Sequence, residues 1–247
     1  MKEWITGRNP VYETLRANRR EIFRLWLAEG NLEQGGHLHD LMESAQQKKI
    51  GIERVPRSKL TEIHANHQGV ALQVGGYRYA SLLEMLALAK GHTESPFILL
   101  LDLIQDPQNL GTLLRSAEGF GVHGVIIPSS RAAEVTPAVV NASSGACEHL
   151  LIAQMNLSQA IDVLKEADAW IYGLEYSEQA VPIESVDFCG GVGLVVGSEG
   201  SGLRSLVRSK CDRLISLPRR GKIDSLNAAT AGSIALYVIQ NAKMKKL

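Results

Sequence analysis

The chain has 247 residues, 45% of them apolar and 21% charged, with a formal net charge of zero, a globular composition that excludes the disordered, collagen-like and coiled-coil classes. No apolar run approaches the roughly 18 residues of a membrane span, the stretch from Phe97 to Leu103 being interrupted by Asp102, and the first seven residues lack the apolar core of a signal peptide.

Residues 9–17 are predicted to form a helix, 22–28 a strand, 36–48 a helix, and 51–55 and 70–75 short strands. Together they make a small α/β domain over 1–79. A helix over 81–90 and the polar stretch 91–96 form the expected linker, 80–96. After Pro96 the pattern becomes regular. Strands are expected at 97–103, 122–128, 149–153, 170–174, 193–196 and 213–217, with helices at 110–119, 137–146, 157–167, 203–209 and 225–242. Strands rich in Val, Ile and Leu that alternate with amphipathic helices predict a mostly parallel sheet covered on both faces, here over 97–247. Such sheets bind ligands beyond the carboxyl ends of their strands, so the loops that follow strands are the places to look.

Charge is segregated along the chain. Residues 1–80 carry 12 Lys and Arg against 9 Asp and Glu, 81–200 carry 4 against 15, and 201–247 carry 10 against 2. Such asymmetry fits a polyanion-binding face as well as it fits a solvated basic helix end. Three scattered cysteines, Cys147, Cys189 and Cys211, without a CxxC pair, argue against a disulfide framework or a zinc site and fit a reducing cytoplasm. No metal site is expected, because no cluster of His, Cys and Asp is visible in the sequence.

Three loops could carry chemistry. In the first, Asp106-Pro107-Gln108-Asn109-Leu110, Asn109 stands where a helix N-cap belongs, and Arg115 follows six residues later. In the second, Gly197-Ser198-Glu199-Gly200-Ser201-Gly202, a strand runs straight into a glycine-rich turn. Its spacing is G-x-x-G-x-G, it has no Gly-Lys-Ser/Thr ending, and Glu199 would repel a pyrophosphate. A ligand that is neutral or cationic at the point of contact suits it better. The third runs from Leu217 through the basic residues Arg219, Arg220 and Lys222 to Ser225-Leu226-Asn227 and a helix of small residues. The basic residues suit phosphates. Ser225 is either a plain helix cap or a functional group.

The order and spacing of these loops resemble the three motifs of the SpoU class of SPOUT RNA methyltransferases, the TrmH-type 2′-O-ribose methyltransferases. The segments Gly7-Arg8-Asn9-Pro10-Val11-Tyr12-Glu13-Thr14-Leu15 and His67-Gln68-Gly69-Val70-Ala71 resemble the substrate-binding domain of the family's ribosomal branch, closest to the enzymes that methylate a guanosine ribose of large-subunit ribosomal RNA. The resemblance implies an α/β domain with a deep trefoil knot, an N-terminal RNA-binding domain and a cytoplasmic homodimer that uses S-adenosylmethionine and needs no metal. It implies a donor pocket built from Gly197, Leu217 and Leu226, and catalytic-motif positions at Asn109, Arg115, Glu199, Ser225 and Asn227. A basic residue is common in the family where Asn141 stands. Transfer RNA is the alternative substrate, and a non-catalytic RNA-binding relative the alternative function. A nicotinamide-type oxidoreductase would need a G-x-G-x-x-G early in the sheet, and none is present.

Overall fold

The computed structural model of the protein describes residues 2–30, 37–200, 202–221 and 226–245. Packing divides the chain into two compact units, Met1–Arg78 with Glu134–His149, and Tyr79–Ala133 with Leu150–Leu247. This grouping cuts across the linear division drawn from the sequence, since it places 134–149 with the N-terminal residues.

The first unit contains β1 (Lys2–Thr6), α1 (Arg8–Ala17), β2 (Ile22–Ala28), α2 (His37–Gln47), β3 (Gly51–Val55), α3 (Arg57–Thr61) and β4 (Val70–Gly75). The sheet order is β1-β4-β2-β3, with β2 and β3 parallel and the other pairs antiparallel. Neither β1 nor α3 is apparent from sequence pattern. Each has only five residues, and each mixes charged or polar residues with apolar ones without a clear period. Gly7, at φ 90°, turns the chain from β1 into α1, a conformation that glycine adopts without steric cost. α1 then buries Val11, Thr14 and Leu15 on one face.

The segment 134–149 brings α6 (Pro137–Ala142) and a 3-10 turn at Ala146–Glu148 into this unit. It is held there by a buried ion pair. The Arg20 guanidinium donates from Nε to both carboxylate oxygens of Glu148, at 2.9 and 3.1 Å, and both side chains are wholly buried. Arg20 also reaches Glu3 at 3.1 Å, and the Tyr77 hydroxyl donates to the Cys147 carbonyl at 3.1 Å. Burial beside Glu148 pushes the Cys147 thiol up to about 12, so it stays protonated at neutral pH.

The second unit is the parallel-sheet layer. It comprises α4 (Leu82–Gly91), β5 (Phe97–Asp102), α5 (Pro107–Gly119), β6 (Gly124–Ile127), β7 (Ile152–Gln154), α7 (Leu157–Glu166), β8 (Ala169–Leu174), β9 (Val181–Pro182), β10 (Gly191–Gly197), α8 (Ser205–Lys210), β11 (Arg213–Ser216) and α9 (Ala228–Met244). Its seven strands are all parallel, in the order β7-β6-β5-β10-β8-β11-β9. Every residue of the central strands β5 and β10 is buried. Apart from Asp102 at the end of β5, they therefore consist of apolar residues and glycine, and each fully buried Leu or Val contributes about 1.5–3 kcal/mol.

α4, within the stretch expected as a linker, is closed by a capping box between Ser81 and Glu84 and belongs to this unit. α9 runs close against α5. A Cβ on Gly232 would lie 2.5 Å from Leu113, and the Ser116 and Ser233 hydroxyls are 2.7 Å apart. The small residues Ala228, Ala229, Gly232 and Ala235 are buried within the chain itself, which is why a helix of such residues forms there.

Candidate active site

The strands β5, β10, β8 and β11 end side by side, with Gly197 in register with Asp102 and Val196 with Leu174. The loops that leave them surround a cavity of about 280 Å3. Gly197, Leu217 and Leu226, the expected donor-binding residues, all line it, together with Glu199, Tyr176 and Arg219. Leu217 is nearly buried, whereas Leu226 is 41% exposed.

Gly197 cannot carry a side chain. A Cβ there would run into the backbone of Gly202 and lie 2.8 Å from the Leu203 nitrogen. The backbones of Ser198 and Gly202 exchange hydrogen bonds at 3.2 and 3.1 Å, closing the loop on itself. Gly200 and Gly202 have φ of 91° and 64°. The glycines thus let the loop fold tightly beside the cavity.

Below the loop, Asp102 is completely buried. It accepts from the Arg204 backbone N–H at 2.8 Å and from Arg204 Nε at 2.6 Å. A buried carboxylate is tolerable only when paired and hydrogen-bonded in this way, and the pair anchors the chain just past the glycine-rich turn. Sequence reading missed this role. The available signal was an aspartate inside an otherwise apolar strand. The Arg219 guanidinium stacks on the Tyr176 ring at 3.3 Å, another pairing formed only by the fold.

Asn109 corrects one expectation. It is not the N-cap of α5. Asp106 is, accepting from the backbone N–H groups of Gln108 and Asn109 at 3.2 Å each, and Pro107 follows at the first helical position. The Asn109 side chain is thereby left for another partner, and it accepts from Asn227 Nδ2 at 3.0 Å. The same nitrogen donates to Glu199 Oε2 at 3.2 Å. Asn227 Oδ1 accepts from the Ala229 and Thr230 backbone N–H groups at 3.0 and 3.1 Å, which makes Asn227 the N-cap of α9. Two backbone donors face Oδ1, so the orientation of the amide is fixed by the network. One side chain joins all three loops: Asn109 from the first, Glu199 from the second, and the start of α9 from the third.

Arg115 stands exposed on α5, two turns beyond Asn109. Ser225 and Lys222 lie outside the described residues.

A second grouping lies elsewhere in this unit. His92, Glu94 and His123 place ligand-type atoms within 4.8 Å of one another. The sequence showed no such cluster, because His123 joins the other two only through the fold. The Phe97 backbone N–H donates to His123 Nδ1 at 3.0 Å, while His123 Nε2 faces Glu94 at 3.2 Å. Neutral His123 therefore carries its proton on Nε2, whereas a metal-binding histidine donates from its remaining ring nitrogen. This geometry makes His123 a hydrogen-bond donor to Glu94 rather than a ligand.

Comparison with known proteins gives the arrangement a family. The SpoU rRNA methylase family model matches residues 96–237, and the model for RNA 2′-O ribose methyltransferase substrate binding matches residues 4–80. YacO of Bacillus subtilis, assigned to the TrmH family of tRNA/rRNA methyltransferases, is 39% identical over 239 residues, which covers 96% of this chain and 94% of YacO. A TrmH family tRNA/rRNA methyltransferase of Staphylococcus haemolyticus is 36% identical over 95% of this chain and 94% of its own length. Among solved structures, the SpoU methyltransferase AviRb of Streptomyces viridochromogenes, crystallised with AdoMet, has the same fold. Its TM-score is 0.81 at 20% identity, over 99% of this chain and 91% of AviRb. The TrmH/SpoU tRNA-modifying enzyme of A. aeolicus covers 62% of this chain and 78% of its own, with a TM-score of 0.56 at 23% identity. This chain belongs to the SpoU rRNA methylase family, with the family's substrate-binding domain on its N-terminal side.

Proposed function

We propose that this protein transfers a methyl group from S-adenosylmethionine to a ribose 2′-hydroxyl of RNA, with a guanosine of large-subunit ribosomal RNA as its target. The observation that carries the reading is the Asn227 amide, which ties Asn109 to Glu199 beside the cavity lined by Gly197, Leu217 and Leu226.

The cavity suits the donor. Leu217 and Leu226 offer apolar contact to an adenine, Gly197 lets the glycine-rich turn fold tightly at the edge of the cavity, and the Glu199 carboxylate suits a cationic ligand. When bound, the donor supplies an electrophilic methyl on a sulfonium. Arg115 holds an RNA phosphate through its guanidinium fork. As a nearly always protonated group it is a poor base, so the 2′-hydroxyl proton leaves to that phosphate or to water. Placing the hydroxyl in line with the methyl supplies a large share of the rate. The transfer requires no metal.

The strand order supports the knot that the resemblance implies. β11 is separated from β5 by β10 and β8, yet α9 packs on α5, and Asn227 at its start meets Asn109 and Glu199 beyond the carboxyl ends of β5 and β10. A homodimer is supported by exposed Ile234 and Tyr237 on α9, with Tyr237 5.9 Å from Phe120.

The discriminating experiment is a map of ribose methylation in total RNA from cells with and without the gene. A lost mark in large-subunit ribosomal RNA is the expected outcome. A lost mark in transfer RNA supports the second substrate, since the relatives are named for both RNAs as tRNA/rRNA methyltransferases. An unchanged map, together with no binding of S-adenosylmethionine by calorimetry, overturns the enzymatic reading.

A further inference from the structure

The two N-terminal motifs, Gly7–Leu15 and His67–Ala71, have no part in the site described above. In the first unit they meet Asn141 and Ser144 around a cavity of about 140 Å3. The side chains that line it include Thr6, Asn9, His64, Asn66, Gln68 and Asn141. The backbone around it is held in uncommon conformations. Gly7, Gly69 and Gly145 have φ of 90°, 81° and 87°, and the non-glycine residues Gln68 and Ser144 have φ of 53° and 54°. Such residues persist only where their surroundings over-determine them, and they concentrate at binding sites. The Gln68 side chain accepts from the Arg8 backbone N–H at 2.9 Å, which locks the two motifs together.

Asn141 carries the argument further. Its Nδ2 donates to Thr6 Oγ1 at 3.4 Å, while its Oδ1 is buried without a hydrogen-bond partner among the described residues. A buried amide oxygen in that state is costly and calls for a partner.

The lining contains no carboxylate and no ammonium. Amides and hydroxyls present donors and acceptors side by side. A phosphate asks for donors alone, and an apolar ligand would strand these groups. The edge of a nucleobase presents both kinds, and Asn and Gln side chains match it in pairs. The volume admits one base.

We propose that this cavity receives a single unstacked base of the RNA chain and reads its hydrogen-bonding edge, the mode by which single-stranded RNA is recognised in sequence-specific fashion. The proposal rests on the RNA-substrate reading above.

The test uses the intact protein with large-subunit ribosomal RNA and, separately, total transfer RNA, both from cells lacking the gene. Asn141→Ala and the exposed-site variant Asn66→Ala are each expected to raise the RNA concentration for half-maximal methylation by about tenfold or more, with the limiting rate, the affinity for S-adenosylmethionine and the melting temperature unchanged. Photocrosslinks from RNA containing 4-thiouridine or 6-thioguanosine are expected within residues 6–10, 64–68 or 141–144. Wild-type RNA dependence in both variants, or crosslinks confined to other residues, overturns the proposal while leaving the methyltransferase reading intact. If the wild type methylates neither RNA, that reading fails, and the crosslink map still decides whether the cavity holds a base.

Discussion

The carboxamide of Asn227 donates to Asn109 at 3.0 Å and to Glu199 at 3.2 Å while its oxygen caps α9. All four of its hydrogen-bonding positions are used, so the cap of one helix and the joining of three loops are a single arrangement. Asn227→Asp separates the two. A carboxylate still caps the helix, but it has no N–H for Asn109 and repels Glu199. Methyl transfer is expected to fall by about a hundredfold, the loss typical when one positioned polar group of an active site is removed, with a change in unfolding free energy below about 1 kcal/mol. Asn227→Ala is expected to lose the cap as well, at a cost of about 1 kcal/mol. Methylation assays alongside chemical denaturation check both. Equal activity in the two proteins and in the wild type would remove the amide from the chemistry.

Gly197→Ala is expected to abolish binding of S-adenosylmethionine. The cause is not simply a filled pocket. The added methyl meets the Gly202 and Leu203 backbone, so the 198–202 turn must open. Gly200→Ala is the control, since a Cβ there meets nothing within 4 Å and the cost is only that of a left-handed alanine, roughly 1–2 kcal/mol. Calorimetry that finds the same donor affinity in Gly197→Ala as in the wild type rules out this placement of the donor.

Arg115→Ala is expected to lose most methyl transfer while binding the donor normally, and Arg115→Lys to be nearly as poor, because an ammonium cannot reproduce a bidentate fork. Arg8→Ala, in the first unit, is expected to raise the RNA concentration required and leave the limiting rate unchanged. Single-turnover kinetics separates the two effects. A wild-type limiting rate in Arg115→Ala means that the chemistry lies elsewhere.

Glu148→Ala leaves the wholly buried Arg20 with only the partly exposed Glu3 as an acidic partner. Breaking a buried pair on one side costs about 3–5 kcal/mol when the remaining charge has no other partner, and Glu3 at 3.1 Å sets the loss here toward the lower end of that range. A matching fall in unfolding free energy is the expected result, measured by urea denaturation. A loss under about 1 kcal/mol would show that Arg20 finds water.

Burial lowers the pKa of His123, and Glu94 opposes that shift in part. Below the usual histidine value of about 6.5, the unfolded chain takes a proton that the folded chain resists. The associated stability is present above that pH and is lost as pH falls through the folded value. By NMR the His123 imidazole is expected to titrate below 6.5, and lower still in Glu94→Gln. A midpoint at or above 6.5 contradicts the hydrogen-bond pattern at Phe97.

The sequence by itself determined the parallel-sheet layer, because strands buried on both faces must be apolar throughout and their helices must repeat every 3.6 residues. It also marked the three loops, because glycines and prolines punctuate the chain locally. Gly197, Leu217 and Leu226 stand in those loops, but it is the resemblance to the family's motifs, not their local pattern, that singles them out as expected donor-binding residues. Other features depend on partners distant in the chain, which no local period records. Asn109 has the local position of a cap, while its partner, Asn227, lies 118 residues away. Asp102 looked like an interruption until Arg204 was brought beneath the glycine turn. Residues 134–149 follow the helical pattern of their sequence neighbours, yet they pack with the N-terminal unit, since Glu148 can be buried only against Arg20. Local chemistry decides which elements form, whereas the pairing of buried polar groups, which must be satisfied wherever the chain supplies a partner, is settled only when the whole fold closes.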